Sequence, residues 1–192
     1  MSKNEDKKES SKAGKKEIWA LRISILSIIV TSIFSWRQCE LQSEVSQKEF
    51  NIGKAQFISL VSRYAVVTFN QFSIINKQDG SLSGTLKKDS ISIKQYLTEC
   101  EYILDGLRKM ESNPFYIKLL EAYPQINLLI IQLQRDIIEQ KMKTFSLNEN
   151  TFIKFHDLFF FLKENYKDEV FDTYYFKIAD TSFTQIKKQW PK

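Results

Sequence analysis

The sequence predicts an all-α protein, in which one N-terminal transmembrane helix runs on into a stalk and a bundle of about five helices. Three observations carry that expectation. An almost uncharged apolar run lies close to the N-terminus, from Ile18 to Trp36. Beyond it, apolar residues recur at steps of three and four, the period of a helix face. The 192 residues also hold 15 Phe against 5 Gly and 3 Pro, which leaves little material for the turns of a many-stranded fold.

Residues 1–17 carry six Lys against four acids and few apolar side chains, a composition that predicts a disordered tail of mixed charge. The nineteen residues of the apolar run, 18–36, would extend roughly 28 Å as a helix, close to the thickness of the bilayer hydrocarbon. Trp19 and Trp36 stand at its two ends, where indole rings favour the headgroup boundary, and Arg22 lies one turn inside, within snorkelling reach of the interface. These three residues are the expected membrane anchor. Its Ser and Thr hydroxyls can donate back to carbonyls of the preceding turn, which makes them tolerable in lipid.

Other readings of the run exist. Only Ile23–Trp36, fourteen residues, is free of charge, which is also the length of a signal-peptide core whose removal would leave a soluble or secreted helical domain. No A-x-A site follows it, however. A lipoprotein reading of Cys39 conflicts with Arg37 and Gln38, where small residues are needed, and a buried core helix conflicts with the lack of a polar stripe. Lys3, Lys7, Lys8, Lys12, Lys15, Lys16 and Arg22 outnumber Arg37, Lys48 and Lys54 beyond the run, a bias that places the N-terminus in the cytoplasm. The side of the membrane taken by the C-terminal domain stays open.

Residues 37–53 are polar with sparse apolar positions and read as a helical stalk. The domain proper is expected over 54–192. Its first helix, from Lys54 to about Asn76, shows Ile58, Val61, Ala65, Phe69 and Phe72 on one face, although the β-branched Val66-Val67-Thr68 also suits a strand. Residues 77–90, with Gly80 and Gly84, read as an irregular loop. Asp89 or Ser90 can cap the next helix, along which Ile93, Leu97, Cys100, Leu104 and Leu107 place Cys100 on the buried face. Ser112-Asn113-Pro114 is a cap with proline at the first helical position, opening a short helix to Tyr123. Pro124 interrupts it, and a helix from Gln125 to Lys143 follows with Ile126, Ile130, Leu133 and Ile137 inward. Ser146 and Glu149 have capping-box spacing for a helix carrying Phe152, Phe155, Phe159 and Leu162. A last helix from about Lys167 to Gln189 carries Ile178, Phe183, Ile186 and, just beyond, Trp190.

Chemistry is sparse. The net charge of +5 resides mostly in the tail and Arg22, so the domain lacks the basic footprint of a nucleic-acid binder. Cys39 and Cys100 have no metal or disulfide spacing, though an exposed Cys39 near the membrane is a place for acylation. His156 is the single histidine and lies among Phe residues, a structural position. Glu99, Glu101 and Asp105 offer carboxylates for magnesium but also form an ordinary solvated helix face. No phosphate loop is present. No catalytic, cofactor-binding or metal residues are therefore assigned, no cofactor is expected, and the protein reads as a non-enzyme. Phe159-Phe160-Phe161 covers about 200° of a helix wheel, so one ring must leave the core stripe. These three are the candidate partner surface.

The order of parts, a basic tail, the stretch ISILSIIVTSIFSWRQ from Ile23 to Gln38, a polar helix and a Phe-rich helical domain, resembles bacterial single-pass helical membrane proteins. Some of those are labelled phage abortive-infection proteins. The resemblance implies a membrane-acting effector of phage defence. The residues themselves imply a membrane-anchored, non-enzymatic interaction module that touches lipid and binds a protein partner or forms a homo-oligomer.

Overall fold

Few residues in the first seventy oppose a helix. No proline occurs before Pro114, Gly14 and Gly53 stand alone, and Lys, Glu, Gln, Ile and Leu dominate. The outcome in the computed structural model is one helix, α1, over Lys3–Gln71. The structure describes residues 3–76, 82–89, 91–142, 145–166 and 174–189, with the side chains of 3–18, Ala20, Asn76 and 187–189 outside the description. Tail, apolar run, stalk and first domain helix are thus a single element, and the disordered tail expected over 1–17 is helical from Lys3 onward. The strong helix propensity of its Lys, Glu and Ala outweighs its polarity.

Two compact units divide the chain, Met1–Lys48 and Glu49–Lys192. In the first, every described side chain is exposed. In the second, the C-terminal turns of α1 bury Ile58, Val61 and Ala65 as the spacing predicts, and also Phe57, which lies outside that stripe, while Phe69 is half-buried.

Helix α1 ends sooner than its periodicity suggests. Phe72–Asn76 forms strand β1, which pairs antiparallel with β2 at Leu82–Leu86, Phe72 opposite Leu86 and Asn76 opposite Leu82. The fold is therefore mostly helical with one hairpin, and the expected loop over 77–90 contains a strand. The sequence Phe-Ser-Ile-Ile alternates in a way that suits a half-buried ladder, and Phe72 stays in the core from the strand. Lys87 N donates to Gln71 O at 3.1 Å, closing the open end of the hairpin.

Four short helices and a last one complete the second unit: α2 Ile93–Lys109, α3 Pro114–Ala122, α4 Ile126–Met142, α5 Glu149–Asn165 and α6 Tyr174–Gln189. Helix α2 is capped by Ser92, not Asp89 or Ser90; its hydroxyl accepts from Gln95 N at 3.2 Å. Leu97, Cys100, Leu104 and Leu107 are buried as spacing requires, while Ile93 at the helix start is exposed. Asn113 caps α3 and Pro114 opens it. In α5 the Ser146–Glu149 capping box gives way to Asn148, whose carbonyl Oδ1 accepts from the backbone of Asn150 and Thr151. Asn148 stands immediately before the helix, within reach of its free first-turn amides, whereas Ser146 lies two residues further out. Helix α2 packs on α4, α4 on α5, and the hairpin lies against α5 and α6. Residues 167–173 and Trp190, expected in the last helix or just beyond it, lie outside the described residues.

The core is aromatic. Tyr64 stacks on Phe155 with centroids 3.8 Å apart, and Phe57 meets Phe115 at 5.9 Å. Phe69, Phe152, Phe159 and His156 surround Phe183 at 5.1–5.6 Å. Burying a side chain of this size contributes roughly 2–3 kcal/mol each.

Candidate functional site

The expected anchor residues all lie on the exposed arm of α1. Trp19 is 63% exposed and Trp36 73%, and the Arg22 guanidinium sits 6.0 Å from the Trp19 ring centre. Thr31 Oγ1 donates to Ser27 O and Ser32 Oγ to Ile28 O, both at 2.8 Å, so these hydroxyls satisfy themselves within the helix. Among the described residues, however, no helix is long and apolar enough to cross a membrane. That corrects the expected span over 18–36. The uncharged stretch is short, Arg22 and Arg37 close it at both ends, and the interspersed hydroxyls dilute its hydropathy.

The Phe159–Phe161 triplet is absorbed within the domain to differing degrees. Phe159 is buried and stacks on Phe176 at 4.8 Å. Phe160 is half-buried, 4.8 Å from the His156 ring and under the Lys163 ammonium at 6.0 Å. Phe161, also half-buried, leans on Tyr123 at 5.1 Å. Each ring has an aromatic neighbour in its own chain.

The one buried carboxylate among the described residues is Asp136 on α4. Its Oδ1 accepts from Asn148 Nδ2 at 2.6 Å and its Oδ2 from the Thr151 hydroxyl. Burial raises its pKa above the ordinary carboxylate value, while the Thr151 and Asn148 hydrogen bonds pull it back. Beside it lies a void of about 10 Å³ lined by Tyr64, Tyr96, Cys100, Gln140 and Asn148, room for one water at most. Desolvation pushes the Cys100 thiol up to about 12, so it stays protonated at neutral pH and does not act as a nucleophile. This cluster ties α4, α5 and α2 together, and on its outer side Asp136 and Asn148 border an open groove of about 490 Å³ with Glu139, Gln140 and Glu149.

The carboxylates considered for magnesium are each engaged with a cation. Glu99 pairs with Arg63 at 2.7 Å, Asp105 with Lys109 at 2.5 Å, and Glu101 with Lys141. Among the described residues no group of three His, Cys, Asp or Glu is placed to hold a metal. His156 is buried against Phe160 and Phe183, its Nδ1 3.1 Å from Asp157 Oδ1. Between α1 and α2 a groove of about 460 Å³ is bordered by Gln56, Ser59, Arg63, Tyr102 and Lys109. Arg63 lies over the Tyr102 ring at 4.4 Å, and both of the groove's cations already have partners.

A feature that sequence reasoning missed is on α4. Its inward face, Ile126, Ile130, Leu133 and Ile137, is buried as expected. Leu128, Ile131, Ile138 and Met142 are 59%, 55%, 49% and 79% exposed. At about 100° per residue they lie directly opposite the core face. The signal was present in the spacing of three, seven and four, but it was masked because the core stripe already accounted for a helix. No protein-family model, curated protein or solved structure matches the chain.

Proposed function

We propose that this protein is a non-enzymatic helical interaction module held at a membrane surface by the N-terminal part of α1. Residues 49–192 engage a protein partner or a second copy. The observation that carries the membrane half is the bare apolar surface from Leu21 to Trp36. Ile23, Leu26, Ile28, Ile33 and Phe34 are all more than half exposed, between tryptophans suited to a headgroup boundary. An apolar surface of that extent in water is unfavourable without a cover, and lipid supplies one. The interaction half is supported by what the titratable groups do. Asp136, Cys100 and the carboxylates of α2 are hydrogen-bonded, protonated or ion-paired, which is the behaviour of a scaffold.

The test uses the full chain expressed in bacteria, with membranes collected by sedimentation and washed in neutral buffer, which leaves surface-attached protein in place. Wild type is expected in the pellet, and the pair Ile25→Lys and Ile29→Lys is expected to shift most of the protein to the supernatant. Wild type found wholly soluble overturns the membrane half. Lost dye exclusion or reduced phage plating on expression would replace the module with a bilayer-acting defence effector.

A further inference from the structure

The outer face of α4 is a second apolar stripe on a helix that already has one. Leu128, Ile131, Arg135, Ile138 and Met142 follow steps of three, four, three and four, the spacing with which one helix packs knobs into the holes of another. All five are exposed. A helix that is apolar on two opposite faces is normally covered on both. Here the inner face meets α2 and α5, and the outer face is open.

Building on the reading of the domain as an interaction module, we infer that this face is a two-fold homodimer contact, α4 packing antiparallel on α4 of a second copy. The argument for self-pairing is complementarity. The stripe's single charge is Arg135, with Glu139 one turn on, both exposed and in no ion pair among the described residues. An antiparallel pairing with its axis between residues 136 and 137 sets Arg135 of each copy level with the partner's Ile138. It places the partner's Glu139 at the flank on the same side, so the two-fold axis generates two opposite-charge pairs from one. The same register brings Met142 of each copy to the partner's Ile131. Beside Ile131 a groove of about 470 Å³ runs between α2, α3 and α4, bordered by Tyr116, Leu120 and Ile130. Methionine, flexible and unbranched, suits such an irregular recess.

The four apolar side chains together expose on the order of 400 Å² per copy, less than the roughly 800 Å² per partner of a stable interface. The contact is therefore weak in dilute solution and is populated where copies are concentrated, as on a membrane.

Sedimentation of the full chain in mild detergent over a range of protein-to-detergent ratios tests this. Wild type is expected to move from monomer to dimer as it is concentrated. Ile131→Lys should weaken dimerisation ten-fold or more, and Arg135→Glu and Glu139→Arg should each weaken it several-fold. The double change Arg135→Glu with Glu139→Arg should restore it, an outcome that misfolding of either single variant could not produce. A monomer at every ratio, or a dimer indifferent to Ile131→Lys and to both charge reversals, overturns the inference. Sedimentation with membranes is read in parallel, so loss of the α4 contact is distinguished from loss of membrane attachment.

Discussion

Gly53 and Asn113 compete for one position in space: a Cβ added to Gly53 would lie 2.0 Å from Asn113 Oδ1. Asn113 has little freedom to withdraw. Its Oδ1 accepts from Phe115 N at 2.9 Å as the cap of α3, and its Nδ2 donates to Glu49 O at 3.4 Å. In an open helix, replacing glycine with alanine gains about 1 kcal/mol. Here Gly53→Ala should instead destabilise by about 1–3 kcal/mol, since it displaces the cap and crowds its neighbours. Adding Asn113→Gly, a tolerated cap, should recover part of the loss. Urea unfolding of the two variants and their combination checks the sign, and a Gly53→Ala chain more stable than wild type would refute it.

Gln71 closes α1 with a side chain fully buried and, among the described residues, no hydrogen-bond partner for its amide oxygen or nitrogen. A buried amide left in that state costs about 1–3 kcal/mol. Gln71→Met keeps the length and removes the polar group, so its thermal midpoint should rise by several degrees, an increment that calorimetry resolves.

Asp136 gives the stability a pH dependence of identifiable sign. Its folded pKa is raised above 3.8, chiefly by burial, so the folded chain retains this proton to higher pH than the unfolded chain. The favourable contribution is complete below the unfolded value and is lost as pH rises through the folded one. Asp136→Asn carries no such proton. The unfolding free energy of wild type relative to Asp136→Asn should therefore decline as pH rises above the ordinary carboxylate value of 3.8. A difference that grows with pH would mean that the site favours the carboxylate.

The two thiols should differ sharply toward an aromatic disulfide reagent. Cys39 is exposed and Cys100 is buried with its thiol pushed up to about 12. One equivalent is expected to react promptly in the native full chain and the second only on adding denaturant. Prompt reaction of both would mean that α2 opens readily from α4.

Most helix faces were legible because they rest on a single local rule. The steps of three and four in α2, α4 and α5 place Leu104, Leu133 and Phe155 inward, and the structure buries them. The hairpin was not legible. Phe72 satisfies both the helix stripe and a strand position, so periodicity has no means of choosing, and the choice is made by the pairing of Phe72 with Leu86 across the chain. Caps were half legible for the same reason: Asn113 was marked by the following proline, whereas Asn148 was hidden behind the better-known spacing of Ser146 and Glu149. Of the candidate site, the exposed tryptophans follow from sequence. The outer stripe of α4 does not, because which face of a helix is left bare depends on its neighbours.

The side chain of Asn148 holds the first turn of α5 through its oxygen and the carboxylate of α4 through its nitrogen. An ordinary helix start frays on its own, releasing its amides to solvent while the core stays shut. Here that local opening also strips a buried carboxylate of its donor, so the cheap, independent motion is suppressed. Amide exchange at Asn150 and Thr151 should then follow the opening of the α4–α5 pair as one cooperative block.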